Sequence, residues 1–183
     1  MNLIEKTLKK DIKFDGQMLK VEKAEVELPN GETSTREIVL HKGAVCVAAL
    51  TENNELIFVK QYRYPIERVL LELPAGKLDV GKDKILSEAQ RELKEETGVI
   101  GKDYVSLGKL YPSPGYSSEE IFLYFCKVQE YGDMCPDEDE FLEVVKIPIE
   151  KAYGMVLNDE INDAKTQIGI IKTYNYLISN NII

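Results

Sequence analysis

Two neighbouring stretches decide the fold: residues 73–81 read LPAGKLDVG, and residues 91–99 read RELKEETGV. In residues 85–97, Leu86, Ala89 and Leu93 recur at helical spacing, and Gly98 is a typical residue for the end of a helix. With about 100° of rotation per residue, the glutamates of this segment occupy about 100° of arc beside the apolar stripe. They are Glu88, Glu92, Glu95 and Glu96. The sequence therefore predicts a packed helix that carries a carboxylate cluster.

Such a cluster indicates a bound cation. Like charges one helical turn apart repel each other by a few tenths of a kcal/mol per pair, so the helix is less stable without compensation. Mg²⁺ and Mn²⁺ prefer oxygen ligands and are the natural compensators. The alternative is a solvated acidic face of an ordinary surface helix.

Composition limits the classes of partner. The chain has 183 residues with 23 Lys and Arg against 32 Asp and Glu, for a net charge of -9. This charge is the wrong sign for binding nucleic acid through its phosphates. No apolar run approaches the roughly 18 residues of a membrane span. We therefore expect neither a nucleic-acid nor a membrane partner, and a cytoplasmic location.

The cysteines and the single histidine give no sign of a disulfide framework or a zinc site. Cys46, Cys126 and Cys135 are odd in number and far apart, and His41 is the only histidine. We expect reduced cysteines and a structural role for His41.

The hydrophobic pattern predicts an α+β fold. Strands dominate the first 61 residues, and the residues 29–31, Pro-Asn-Gly, indicate a hairpin. The predicted strands are residues 6–14, 18–28, 34–41, 43–50, 56–60, 69–73, 105–110, 121–128 and 141–147. The predicted helices are residues 85–97, 150–157 and 163–178. This order is not the strict strand–helix alternation of a doubly wound sheet.

Residues 91–99 resemble the Nudix hydrolase signature, Arg-Glu-apolar-x-Glu-Glu-x-Gly-apolar, at every defined position. The first half of the motif departs from the family pattern. Counting from Gly76, Lys82 stands where the family has glutamate, and the interval to Arg91 is one residue longer. We expect a one-residue loop insertion in which Asp83 replaces that glutamate. Gly76, Asp83, Arg91 and Gly98 are then the structural residues of the motif.

The resemblance continues outside the motif. Residues 61–65 (QYRYP), 71–76 (LELPAG), 111–116 (YPSPGY) and 137–141 (DEDEF) are similar to the ADP-ribose pyrophosphatase branch of the family, in the same order. This similarity implies a Nudix fold, with a mixed β-sheet sandwiched by helices. It also implies an antiparallel β segment at residues 1–42 that forms a homodimer, followed by the Nudix hydrolase domain at residues 43–183.

The resemblance implies a reaction and its residues. Branch members hydrolyse ADP-ribose to AMP and ribose 5-phosphate with Mg²⁺, and Mn²⁺ is a possible substitute. The implied metal ligands are the Ala75 carbonyl, Glu92, Glu95 and Glu96. Glu138 or Glu140 is the implied catalytic base, with Glu138 favoured and Glu95 next. The candidate substrate-binding residues are Arg63, Arg36 and Tyr116.

Several alternatives remain open. Taken alone, Arg63 would form a surface ion pair, residues 111–116 would be a rigid connection, and residues 137–140 would be a solvated acidic loop. The domain could bind ADP-ribose or NAD-related molecules without hydrolysing them, which Lys82 and the extra loop residue favour. It could also hydrolyse another substrate, such as GDP-mannose or NADH.

Overall fold

The computed structural model describes residues 2–78, 84–138 and 140–183, which form two compact units. The first unit consists of Met1–Gly43 and Tyr111–Glu120. The second consists of Ala44–Leu110 and Ile121–Ile183. The first unit thus includes a segment, Tyr111–Glu120, that sequence analysis assigned to the second domain.

The first unit contains a three-stranded antiparallel sheet in the order β1-β2-β3. These strands are β1 (Lys6–Asp15), β2 (Lys20–Glu27) and β3 (Thr33–Leu40). The predicted hairpin joins β2 to β3, and Gly31, at φ 85°, supplies the left-handed conformation that the turn needs. Segment Tyr111–Glu120 is attached to β3, because the Val39 N–H donates to the Tyr116 carbonyl at 2.7 Å.

The second unit is built on a mixed sheet whose central path is β10-β5-β4-β9-β8. In addition, β6 pairs with β5 and β7 pairs with β4. The strands are β4 (Ala44–Leu50), β5 (Glu55–Arg63), β6 (Arg68–Glu72), β7 (Ala75–Lys77), β8 (Val99–Leu110), β9 (Ile121–Tyr131) and β10 (Glu143–Pro148). The helices are α1 (Ile85–Thr97), α2 (Ile149–Leu157) and α3 (Ala164–Ser179). Strand β4 runs parallel to β9 and antiparallel to β5 and β7.

The second unit has an apolar core on each face of its sheet. Every residue of β4 is buried, and alternate side chains point to opposite faces. Val45, Val47 and Ala49 pack in one core cluster with Ala89 and Leu93 of α1. Cys46, Ala48 and Leu50 pack in the other with residues of α2 and α3. The predicted α+β architecture, with a sheet between helices, is confirmed.

The stripe predicted for α1 was partly wrong. Leu86 is 42% exposed, whereas Ile85 packs against the core beside Ala89 and Leu93. Residues at four-residue intervals form one ridge along a helix, so Ile85 extends the ridge of Ala89 and Leu93. The ridge of Leu86 continues with Gln90 and Lys94, which are polar.

Other differences concern strand ends. Strand β10 begins at Glu143, and Phe141, predicted to start it, is 84% exposed. Strand β7 was not predicted, because three residues that include a glycine give no periodic signal. Cys46, Cys126 and Cys135 are free, and His41 accepts the Gly43 N–H on Nδ1. None of the helices in the described residues is long and apolar enough to cross a membrane.

Candidate active site

The carboxylates of α1 lie against strand β7. The Ala75 N–H donates to Glu96 Oε2 at 3.1 Å. A Cβ added to Gly76 would lie 1.9 Å from Glu92 Cδ, so only glycine leaves room for that carboxylate. Pairing with β4 fixes this backbone, since Gly76 stands opposite Val45. Ala75, Glu92 and Glu96, three of the implied metal ligands, therefore lie together, and their role as ligands stays a prediction.

Arg91 forms ion pairs with three glutamates of the same helix. Its Nη2 donates to Glu88 at 2.9 Å and to Glu92 at 2.6 Å, and its Nη1 donates to Glu95. The hydrogen bond to Glu88, followed by the charges of Glu92 and Glu95, raises the pKa of Arg91. Arg91 thus offsets part of the repulsion between the carboxylates. Asp83, the residue expected to pair with it in the motif, lies outside the described residues.

Two of the glutamates are held in a state that favours protonation. Burial raises the pKa of Glu92 to about 7, with Arg91 opposing the shift and Glu95 and Glu140 adding to it. Burial likewise raises the pKa of Glu96 to about 8, and the charges of Glu92 and Glu140 contribute to the shift. Glu96 is buried and Glu92 is half-buried, both beside like charges, an arrangement that a cation would relieve.

The donor set fits a divalent cation of the hard, oxygen-preferring kind. Glu92 and Glu96 both place their carboxylates against residues 75–76, and oxygen atoms are the ligands that such cations prefer. Within residues 2–78, 84–138 and 140–183, no three acidic, histidine or cysteine side chains stand close enough to hold a metal as placed. Glu92 and Glu95 are both paired with the guanidinium group of Arg91.

The loop before β10 brings Glu140 towards these carboxylates. Two backbone hydrogen bonds anchor its first part to the end of α1: Gly132 N–H donates to Gly98 O at 2.7 Å, and Cys135 N–H donates to Glu95 O at 2.9 Å. The charge of Glu140 contributes to the raised pKa values of both Glu92 and Glu96. Glu140 also lines an open groove of about 520 Å³ together with Gln61, Val69 and Phe141, among others. Because of this effect of its charge, Glu140 is preferred to Glu138 as the candidate loop carboxylate.

Arg63 lies at the end of β5 and is engaged in an ion pair. Its Nε and Nη2 both donate to the Glu72 carboxylate at 2.7 Å, while 40% of its side chain remains exposed. Its charge lowers the pKa of Glu96, after the larger influences of burial, Ala75, Glu92 and Glu140. Arg63 is therefore both a partner of Glu72 and a cation within electrostatic range of the α1 carboxylates.

The other two candidate substrate residues belong to the first unit. Arg36, on β3, donates to Glu5, Ser34 and the Thr35 carbonyl. Tyr116 lies in the turn at residues 114–116 and is 60% exposed. Their roles towards a substrate stay predictions.

Glu72 and Lys165 were not predicted from the sequence as residues of the site. The Glu72 carboxylate is 1% exposed and accepts hydrogen bonds from Arg63 and from Lys165 of α3. A glutamate between Leu71 and Leu73 is a signal that its carboxylate can be buried and then needs a cation beside it. Lys165, the second cation that binds Glu72, could not be predicted from the neighbouring sequence, because it is 93 residues away.

Comparison with known proteins places this site in a family. The model of the NUDIX domain matches residues 40–167. An ADP-ribose pyrophosphatase of Bacillus subtilis (strain 168) is 41% identical over 173 residues, 92% of each chain. A methanol dehydrogenase activator of Bacillus methanolicus is 41% identical over 168 residues, 91% of this chain and 90% of that protein. A crystal structure of an ADP compounds hydrolase superposes with a TM-score of 0.87 over 100% of both chains at 22% identity, which supports the fold.

The chain belongs to the NUDIX domain family. Within it, the chain lies in the branch that contains ADP-ribose pyrophosphatases, and it is a pyrophosphohydrolase. The sequence-based assignment to this branch is confirmed.

Proposed function

We propose that this enzyme hydrolyses the diphosphate bond of a nucleoside diphosphate sugar with Mg²⁺, and that ADP-ribose, giving AMP and ribose 5-phosphate, is its substrate. The observation that carries the proposal is the contact of Glu92 and Glu96 with residues 75–76, which brings two carboxylates together beside β7. The similarity to the Bacillus subtilis ADP-ribose pyrophosphatase supports the choice of substrate.

The residues have distinct proposed roles. The Ala75 carbonyl, Glu92, Glu95 and Glu96 would hold Mg²⁺, with Mn²⁺ as an alternative. When bound, the metal supplies charge neutralisation for the diphosphate and lowers the pKa of water. Glu140 takes a proton from the attacking water, with Glu138 and Glu95 as the other candidates. Arg63 orients the diphosphate through charge-assisted hydrogen bonds, and Arg36 and Tyr116 contact the remainder of the substrate.

A substrate panel tests this proposal. Purified protein is incubated with Mg²⁺ and ADP-ribose, GDP-mannose or NADH, and phosphate is measured after treatment with a phosphatase. NADH belongs in the panel because dehydrogenases use it and one relative is named an activator of such an enzyme. We expect the highest kcat/KM with ADP-ribose. If only GDP-mannose or only NADH were hydrolysed, that compound would replace ADP-ribose as the proposed substrate. Binding of ADP-ribose without any hydrolysis would support the non-catalytic sensing domain instead.

The variant Glu96→Gln tests the metal assignment. It removes one proposed ligand charge while keeping the side-chain volume, so turnover should fall by about 10²-fold or more with the fold intact. Glu150→Gln, at an exposed position of α2, is the matched control and should leave turnover unchanged. Activity of Glu96→Gln within about threefold of wild type would contradict the assignment.

Homodimer formation and a cytoplasmic location, both expected from the sequence, remain proposals for this enzyme.

A further inference from the structure

Four charged side chains form a continuous chain of ion pairs from strand β5 to helix α3. Arg63 binds Glu72 through both carboxylate oxygens, and Lys165 Nζ donates to the Oε2 atom of the same carboxylate. Lys165 Nζ also donates to Asp163 Oδ2 at 3.0 Å. Asp163 in turn caps α3 by accepting the Thr166 N–H at 2.9 Å. The network therefore links the proposed diphosphate-binding arginine to the start of α3.

Stability of the helix does not explain Lys165. A lysine in the first turn of a helix meets the positive end of the helix dipole, which is unfavourable. Its side chain is only 12% exposed, so it also loses hydration and rotamer freedom. Burial lowers the pKa of Lys165, but the charges of Asp163 and Glu72 outweigh burial and raise it. Lys165 is thus a buried cation that Glu72 and Asp163 keep charged.

The arrangement of charges explains what Lys165 supplies. Without a second cation, Glu72 would neutralise Arg63, and a neutral pair attracts a diphosphate only weakly. Lys165 shares the charge of Glu72, so Arg63 keeps a net positive potential. Asp163 offsets Lys165 only in part, because its carboxylate is also balanced by the helix N-terminus, equivalent to roughly half a positive charge.

The geometry of the ion pair also leaves one side of the Arg63 guanidinium group available to a diphosphate. The hydrogen bonds to Glu72 use Nε and Nη2 of Arg63, so the Nη1 side of the planar guanidinium faces away from Glu72. With 40% of its side chain exposed, Arg63 can donate to a second acceptor from that side. Glu72, at 1% exposure, is held by three hydrogen bonds from Arg63 and Lys165 and has little freedom to reorient.

We propose that Lys165 is a positioning residue that acts through Glu72 to orient Arg63 and to preserve its positive charge towards a substrate diphosphate. This inference rests on the proposed function, because it requires Arg63 to contact the diphosphate. Lys165 touches neither the substrate nor the α1 carboxylates in this scheme, and its effect reaches the substrate only through Arg63.

Steady-state kinetics with ADP-ribose and Mg²⁺ test the role of Lys165. Lys165→Met keeps an unbranched side chain but removes the charge, and we expect KM to rise about tenfold while kcat changes by less than about threefold. Lys165→Arg restores the charge and should bring KM back to within about threefold of wild type. Lys172→Met, further along α3 where Lys172 bonds the Leu107 carbonyl, is the matched control and should leave KM unchanged.

A double-mutant cycle separates this role from a purely structural one. In the background of Arg63→Ala, the change Lys165→Met should alter KM by less than about twofold, because its target is already absent. An equal rise of KM in both backgrounds would overturn the proposal. The same cycle is read from the Kd of the α,β-methylene analogue of ADP-ribose by titration calorimetry, so it does not depend on turnover.

A second variant keeps the test decisive if Lys165→Met does not fold. Asp163→Asn preserves the helix cap, since asparagine caps as well as aspartate, and removes one negative charge beside Lys165. We expect KM to fall about two- to threefold, whereas damage to the structure would raise KM or leave it unchanged. An unchanged or raised KM would overturn the proposal.

Failure of this inference and failure of the proposed function give different results. If wild type hydrolyses ADP-ribose and Lys165→Met keeps the wild-type KM, only the positioning role is wrong. If wild type neither hydrolyses ADP-ribose nor binds its methylene analogue, the proposed function is wrong, and the role of Lys165 is overturned with it.

Discussion

At the scale of single residues, Gly76 is the position where the smallest change has the clearest consequence. Its φ lies outside the left-handed region, so an added methyl group causes no backbone strain. The methyl group would instead occupy the space of the Glu92 carboxylate, which is the end of a flexible side chain and can move away. A substitution here therefore displaces a proposed metal ligand while the backbone keeps its conformation.

Gly76→Ala should lower kcat/KM by about 10²-fold or more, with a change in melting temperature of only a few degrees. Gly154→Ala is the matched control, because nothing lies within 4 Å of its added methyl group. Since Gly154 is inside α2, this control should keep full activity and add up to about 1 kcal/mol of stability. Thermal melts and steady-state kinetics check both, and full activity of Gly76→Ala would show that Glu92 is not needed where it lies.

The two loop glutamates provide a comparison within one segment. Glu140 acts electrostatically on Glu92 and Glu96, so Glu140→Gln should lower kcat by about 10² to 10⁴ with little change in KM. Glu138→Gln, the same substitution two residues earlier, should stay within about threefold of wild type. Kinetics at saturating Mg²⁺ decide between them. If Glu138→Gln lost more kcat than Glu140→Gln, Glu138 would be the base. If both variants kept near wild-type kcat, Glu95 would be the remaining candidate.

At the scale of the element, α1 carries carboxylates whose protonation affects folding. In the folded protein the pKa values of Glu92 and Glu96 are about 7 and about 8, both raised chiefly by burial. An unfolded glutamate has a pKa of about 4.3. Between these values the folded state binds more protons than the unfolded state, so stability falls as pH rises. The contribution is complete below about pH 4 and is lost as pH passes through the folded values.

The melting temperature of metal-free protein should therefore fall by several degrees between pH 5.5 and 8.5. Mg²⁺ binds the deprotonated carboxylates and should raise the melting temperature most at the upper end of that range. Differential scanning fluorimetry in EDTA and in Mg²⁺ measures both effects. Glu96→Gln, which removes the group with the higher pKa, should flatten the pH dependence. A metal-free melting temperature that rises over this range would contradict the protonation scheme.

At the scale of the whole molecule, the strand β1 leaves apolar side chains exposed. Leu8, Ile12 and Phe14 are each 45% exposed or more on a strand that otherwise carries mainly charged residues. Three strands with one usable apolar face are near the minimum for an independently stable sheet. These features fit the homodimer that the family resemblance implies through residues 1–42.

Light scattering at micromolar concentration should report a mass near twice 20.8 kDa. Ile12→Glu should shift the protein towards the monomer, because a charge replaces an apolar side chain at the expected interface. Lys9→Glu is the control, since Lys9 and Ile12 point to opposite faces of β1. A monomeric wild-type protein would contradict the proposed homodimer and any substrate site that needs residues of a partner subunit.

The same three scales show how far prediction from the sequence extends. The limits of α1, its glycine cap and the positions of its glutamates were predicted correctly, because each depends on residues a few positions apart. The apolar run of β4 was predicted as a strand because a strand buried on both faces has few polar residues. Ile85, and not Leu86, completes the buried ridge of α1, a choice made by the neighbouring sheet.

Local spacing and a short, specific motif were enough to predict the family, the α+β class, the acidic helix and the set of candidate carboxylates, with Ala75 beside Glu92 and Glu96. The partners outside that motif depend on the tertiary structure. Lys165 of α3 contacts Glu72, and the charge of Glu140 acts on the α1 carboxylates. These residues are separated by 44 to 93 positions, and their approach depends on sheet pairing and helix packing that no local pattern contains.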